Sequence, residues 1–131
     1  MNPVAIPAVA EANPDLSVQA ALGYAKDILD GAVPMPRGRS TRAAAVLARQ
    51  ALEDAARELC RSAGFDLDKA TMRSRLIALR VLVDQGAADT AEVAWAGLSR
   101  ACHQHAYELT PTTTEVSHLL TLVTTLAAYQ S

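Results

Sequence analysis

The chain has 131 residues, enough for one domain of ordinary size, and carries a net charge of −2, so overall electrostatics does not require a nucleic-acid partner. Half of it is hydrophobic but only 4% is aromatic, and alanine supplies much of the apolar count, which favours closely packed helices over a sheet. Two cysteines cannot build a disulfide framework, and no apolar run reaches the ~18 residues of a membrane span.

Charge is unevenly spread. Residues 1–36 hold one Lys against four acids, residues 37–80 hold ten Lys/Arg against five acids, and residues 81–131 hold one Arg against five acids. The basic middle can meet phosphate or form a solvated helix face. The start lacks a basic region ahead of an apolar run, so the reading is a cytoplasmic protein with reduced thiols.

In chain order, residues 1–13 read as a flexible N-terminal arm containing Pro3 and Pro7. A single domain is expected over 14–131. Asn13-Pro14 reads as a helix start, with Val18, Leu22, Ala25 and Leu29 at helical spacing and Gly31 as the stop. Residues 32–40 read as a loop broken by Pro34, Pro36 and Gly38. Ser40 or Thr41 is the expected cap of a second helix that runs to Ala63 and stops at Gly64. Its apolar face is Ala44, Ala48, Ala51, Ala55 and Leu59, joined by Leu47 and Leu52, with Glu53 and Arg57 placed to pair.

A link over 65–68 leads to a third helix, with Met72, Leu76, Leu79 and Val83 on one side, Arg73 and Arg80 on another, and Gly86 closing it. Asp89 with Glu92 resembles a capping box opening a fourth helix, which should end before Pro111. Gly97 inside it points to a close helix–helix contact. Thr112 to Glu115 is a second capping box, opening a fifth helix with Val116, Leu119, Leu120, Val123 and Leu126. The fold class expected is all-α: an up-and-down bundle of four core helices plus one additional helix.

The reactive side chains crowd into residues 100–107, Arg-Ala-Cys-His-Gln-His-Ala-Tyr. At about 100° per residue, Trp95, Leu98, Cys102, His105 and Leu109 share one stripe, and Arg100, His103 and Tyr107 share another. Each has a packing role available: His105 at a core edge, Tyr107 at an interface, Arg100 paired to an acid, Cys102 as a small apolar residue. Metal ligation by Cys102, His103 and His105, with His118 as a further ligand, has poor spacing, because adjacent helical residues point apart. A Cys102 nucleophile would sit on the apolar stripe. Phosphodiester chemistry fits the residue types better. A histidine can move the proton of a ribose 2′-hydroxyl, and an arginine can hold the phosphate, with no metal or other cofactor required.

Arg100, His105 and Tyr107, spaced Arg-x4-His-x-Tyr, resemble the motif of the HEPN (higher eukaryotes and prokaryotes nucleotide-binding) superfamily, in the form of its toxins paired with nucleotidyltransferase antitoxins. The run from Ala44 to Ala55, with its Gln50-Ala51-Leu52-Glu53, is similar to the helix HEPN domains carry ahead of the motif. The resemblance spans roughly residues 14–129. It implies a helical bundle that forms a homodimer and a shared cleft that cuts RNA without metal. Arg100 would then orient the scissile phosphate and His105 would be the acid/base; His103 is extra to the family pattern and could substitute for or assist His105. Tyr107 would match a tyrosine that the partner nucleotidyltransferase modifies. RNA would be held by the basic segment, through Arg37, Arg39, Arg42, Arg73 and Arg80. Ala101 stands where active members often carry a polar residue. The alternative is therefore a non-catalytic HEPN-like module that binds a partner protein or nucleotide.

Overall fold

The computed structural model describes residues 17–103 and 111–129, the side chain of Arg37 excepted. Among the described residues all regular structure is helical: α1 (Val18–Leu29), α2 (Arg37–Ser62), α3 (Met72–Ala78) running into a π-helical turn (Leu79–Val83), α4 (Gln85–Cys102) and α5 (Thr113–Ala127). The expected N-terminal arm lies outside the described residues.

The longest helix, α2, organises the bundle. Its alanines 44, 45, 48, 51, 55 and 56 are buried together with Leu52 and Leu59. Methyl-sized side chains hold neighbouring helices close, and α2 packs against α1, α4 and α5. α4 answers with Ala87, Ala88, Ala91, Ala94 and Leu98, and α5 with Val116, Leu120, Val123 and Leu126. α1 touches α2 and α5, whereas α3 and the π turn lie against α2 and α4. The result is an all-α bundle of four core helices with one added on the side.

Both glycine stops hold for the expected reason. Gly31 and Gly64 adopt φ of 85° and 97°. At each, the next N–H reaches back across the turn: Ala32 to the Asp27 carbonyl at 2.9 Å and Phe65 to the Cys60 carbonyl at 2.9 Å. That is the Schellman arrangement, which only glycine enters without strain.

Several helix starts differ from expectation. α1 begins at Val18, and the cap is Ser17, whose hydroxyl accepts from the Ala20 N–H at 3.0 Å; Asn13 and Pro14 lie outside the described residues. α2 begins at Arg37, so residues 37–40 are helix rather than loop. Pro36 sits before it as the N-cap residue, with φ −57° and an extended ψ of 143°, and its carbonyl accepts from Arg39 and Ser40. Ser40 and Thr41 do not cap: their hydroxyls donate back to the Pro36 and Gly38 carbonyls at 3.2 and 3.1 Å. Arg57 pairs with Asp54 at 3.5 Å and Asp68 at 4.0 Å, not with Glu53.

The largest revision concerns the junction of α3 and α4. The chain does not stop at Gly86. A π turn ends at Asp84, whose N–H donates to the Leu79 carbonyl at 2.8 Å. Asp84 itself is extended and caps α4, accepting from Ala87 at 2.8 Å, so Gly86 falls in the first helical turn. Asp89 and Glu92 form no cap. Both carboxylates hold Arg80, at 2.7 and 3.0 Å.

The fifth helix has the expected capping box. Thr112 accepts from the Glu115 N–H at 3.0 Å, and the Glu115 carboxylate accepts from the Thr112 N–H at 3.1 Å. Thr112→Ala removes one of these bonds and should cost about 1 kcal/mol, read as a lower urea midpoint with unchanged slope. A midpoint equal to wild type would show the cap to be inert.

Candidate functional site

α4 ends three residues after Leu98's neighbour Ser99, and the candidate motif straddles that end. Arg100 lies in the last turn and is exposed. Ala101 is buried, 4% exposed, against the core. Cys102 is half-buried. His103 is exposed and already off helical geometry, at φ −109° and ψ 39°. α4 thus ends at Cys102, before Pro111 as expected. His105 and Tyr107 lie outside the described residues.

Beside this end runs the first half of α2. The Arg49 guanidinium stacks over the Trp95 ring, 4.3 Å from its centroid. Arg42 and Arg49 both act electrostatically on the Cys102 thiol. Thus α2 and α4 run alongside each other with the start of one near the finish of the other. The buried Nε of Arg49 and the buried Oγ of Ser99 have no hydrogen-bond partner among the described residues.

The arginines sort into three groups. Arg57, Arg61 and Arg80 are bound to carboxylates. Arg75, 7% exposed, donates to three backbone carbonyls: Leu67 at 3.0 Å, Asp68 at 2.9 Å and Glu53 at 3.3 Å. Among the described residues no carboxylate pairs with Arg39, Arg42, Arg49, Arg73 or Arg100. Arg39, Arg42, Arg73 and Arg100 are exposed. Of the expected RNA-contacting residues, Arg39, Arg42 and Arg73 are therefore uncompensated among the described residues, and Arg42 acts on Cys102 at the end of α4 that carries Arg100. Arg80 is neutralised in place.

The cysteines behave as packing residues. Burial pushes the Cys102 thiol up, and the charges of Arg42 and Arg49 oppose that only in part. Burial also raises Cys60, against a weaker pull from Arg75. Cys60 is 1% exposed and its thiol lies 3.9 Å from the Arg75 carbonyl. Neither is a ready thiolate at neutral pH. Native protein should react with a disulfide reagent at pH 8 more slowly than unfolded chain, on the order of tenfold or more for Cys60. Equal rates would contradict the packing described.

Among the described residues no three of His, Cys, Asp and Glu converge as metal ligands, and no helix is long and apolar enough to cross a membrane. A polar cleft of about 440 Å³ opens at the far end of α2, where Asp54, Arg57, Glu58 and Arg61 meet α1 and Tyr129. Its arginines are paired within it, Arg57 to Asp54 and Arg61 to Glu58. None of the motif residues described lines it.

Sequence reasoning missed Arg49, Trp95 as its partner, and Arg75. The first pair carried a faint signal, in that Arg42 and Arg49 are seven residues apart and share a helix face. Comparison with protein-family models, with curated proteins and with solved structures finds no match to this chain.

Proposed function

We propose that this chain is a HEPN-like, metal-independent endoribonuclease of the cytoplasm, acting as a homodimer and serving as a toxin or defence component. Arg100 holds the scissile phosphate. His105 takes the 2′-hydroxyl proton and returns one to the leaving oxygen, with His103 beside it. Tyr107 is the point at which a nucleotidyltransferase antitoxin silences the protein. The observation that carries this reading is the state of Arg100. It is exposed in the last turn of α4 and has no acidic partner among the described residues, so its guanidinium is available to a phosphate.

A second reading rests on Ala101. Where active HEPN proteins often place a polar residue, this chain has a buried methyl group. That favours a non-catalytic HEPN-like module that binds a nucleotide or partner protein through the same surface. One experiment separates the two. Purified wild type, Arg100→Ala and His105→Ala are incubated with total RNA at neutral pH in chelator. The nuclease reading expects cleavage by wild type alone. RNA left intact by wild type sinks it, and cleavage that survives both substitutions removes the assigned pair.

A further inference from the structure

We infer that the first half of α2, with Trp95 of α4, is a binding track for the backbone of single-stranded RNA, built on Arg39, Arg42 and Arg49 and leading to Arg100. This rests on the nucleic-acid reading above and deepens it by saying where the strand lies. It shifts the RNA contacts away from Arg73 and Arg80.

Four observations converge. Residues 37–52 contain four arginines and no acid, and residues 93–103 contain Arg100 and no acid, in a chain whose net charge is −2. Arg39, Arg42, Val46 and Arg49 follow at steps of three, four and three residues, so they share one face of α2. Of the other cations, Lys26, Arg57, Arg61 and Arg80 have carboxylates at 4.0 Å or closer and Arg75 is held by backbone carbonyls, while Lys69 and Arg73 are exposed on the surface without forming a row. Arg39, Arg42 and Arg49 have none among the described residues, so a row of like charges stands on one helix face. Finally, Arg49 is half-buried on Trp95 with its Nε unpartnered.

Like charges at this spacing cost helix stability unless an anion lies across them. A phosphate chain supplies repeated negative charge along a line. A guanidinium packed on an aromatic ring is held in place and presents its outer N–H groups to one phosphate at little entropic cost. The same geometry disfavours a membrane surface. Val46 is the only large apolar side chain exposed on this face among the described residues, and an interfacial helix needs a broad apolar side to insert.

The test uses the full chain and a 2′-O-methyl oligouridine of about 16 nucleotides, near the upper site size of single-strand binders, which resists cleavage through its blocked 2′-oxygen. Binding is followed by fluorescence anisotropy over a range of salt. Arg42→Gln and Arg49→Gln should each reduce the slope of log K against log salt by about 0.7 in magnitude, one released counterion per phosphate contact. Arg49→Lys, which keeps the charge and guards against a packing artefact, should restore most of that slope. Lys69→Gln, an exposed cation in the link between α2 and α3, should leave it unchanged. Circular dichroism confirms that each variant folds.

Unchanged slopes in Arg42→Gln and Arg49→Gln overturn the track, as does an equal loss in Lys69→Gln. Tighter binding to phosphatidylserine vesicles than to the oligonucleotide at the same salt overturns it in favour of a membrane. The nuclease reading fails separately. If wild type binds through these arginines but leaves natural RNA uncut, the track stands and the nuclease falls. If wild type cuts RNA while both glutamine variants bind and cut as it does, the nuclease stands and the track falls.

Discussion

Arg75→Ala should destabilise the protein by about 3–4 kcal/mol, a large share of the 5–15 kcal/mol available to an ordinary domain. Arg75 is 7% exposed and ties three parts of the chain together. Its Nε and Nη2 hold the Leu67 and Asp68 carbonyls of the link before α3, and its Nη1 reaches the Glu53 carbonyl of α2. Alanine removes three charge-assisted donors and most of the side chain's packing volume. The Leu67 carbonyl keeps the Ala70 N–H, at 3.1 Å, which limits the loss.

Two further variants separate the contributions. Burying a guanidinium with no carboxylate carries its own desolvation cost, and Arg75→Met removes that cost while filling the space, so it should lose only about 1–2 kcal/mol. Arg75→Lys keeps the charge but offers one nitrogen for three divergent acceptors, so it should fall between the two. The measurement is urea unfolding followed by circular dichroism, with the order wild type, Met, Lys, Ala. A Lys variant as stable as wild type would mean that charge alone matters and the three-way clasp does not.

Arg75 also shows what could and could not be read in advance. The sequence offers Arg73, Arg75 and Arg80 on one short helix, and helical spacing sets Arg75 nearest the Met72, Leu76 and Leu79 stripe, but it does not say what would satisfy a buried guanidinium there. That is decided by the route of the 65–70 link over α2. Where local chemistry is self-sufficient, reading succeeds: Gly31 and Gly64 terminate helices because the left-handed turn is theirs, and the alanine face of α2 is a matter of period. Where two local signals compete, tertiary partners choose. Asp89 and Glu92 have capping-box spacing, but Arg80 engages both, and Asp84 takes the cap. The π turn at Leu79–Val83 left no periodic trace, since one widened turn shifts the pattern by less than a residue type reveals. For the candidate site, Arg100 and His103 were singled out from their crowding. The Arg49–Trp95 stack was not, because it joins α2 to α4 and only packing brings them together.

Gly97→Leu should cost about 3 kcal/mol, and the reason bears on the motif beyond it. A Cβ at Gly97 would stand 2.7 and 2.9 Å from the two Leu119 methyls and 3.3 Å from its Cγ. All three lie on one side chain of α5, so the clash is with a movable group rather than with backbone. Gly97→Ala sets two effects against each other. Replacing glycine in a helix interior gains up to about 1 kcal/mol, and moving Leu119 in a packed interface costs about 1–3 kcal/mol. Repacking wins by a small margin, so Ala should destabilise by about 1 kcal/mol. Leucine at 97 cannot be absorbed by a rotamer change and must push α5 away from α4. In the Leu119→Ala background, Gly97→Ala should cost nothing or stabilise, because the obstacle is gone and the propensity gain remains. Additive losses in the double variant would place the strain elsewhere. Arg100 lies less than one turn beyond Gly97, and α5 is the next described helix after the motif. The α4–α5 contact at Gly97 and Leu119 therefore sets where the end of α4 presents Arg100. A substitution that moves α5 should disturb any activity of that corner before it unfolds the bundle.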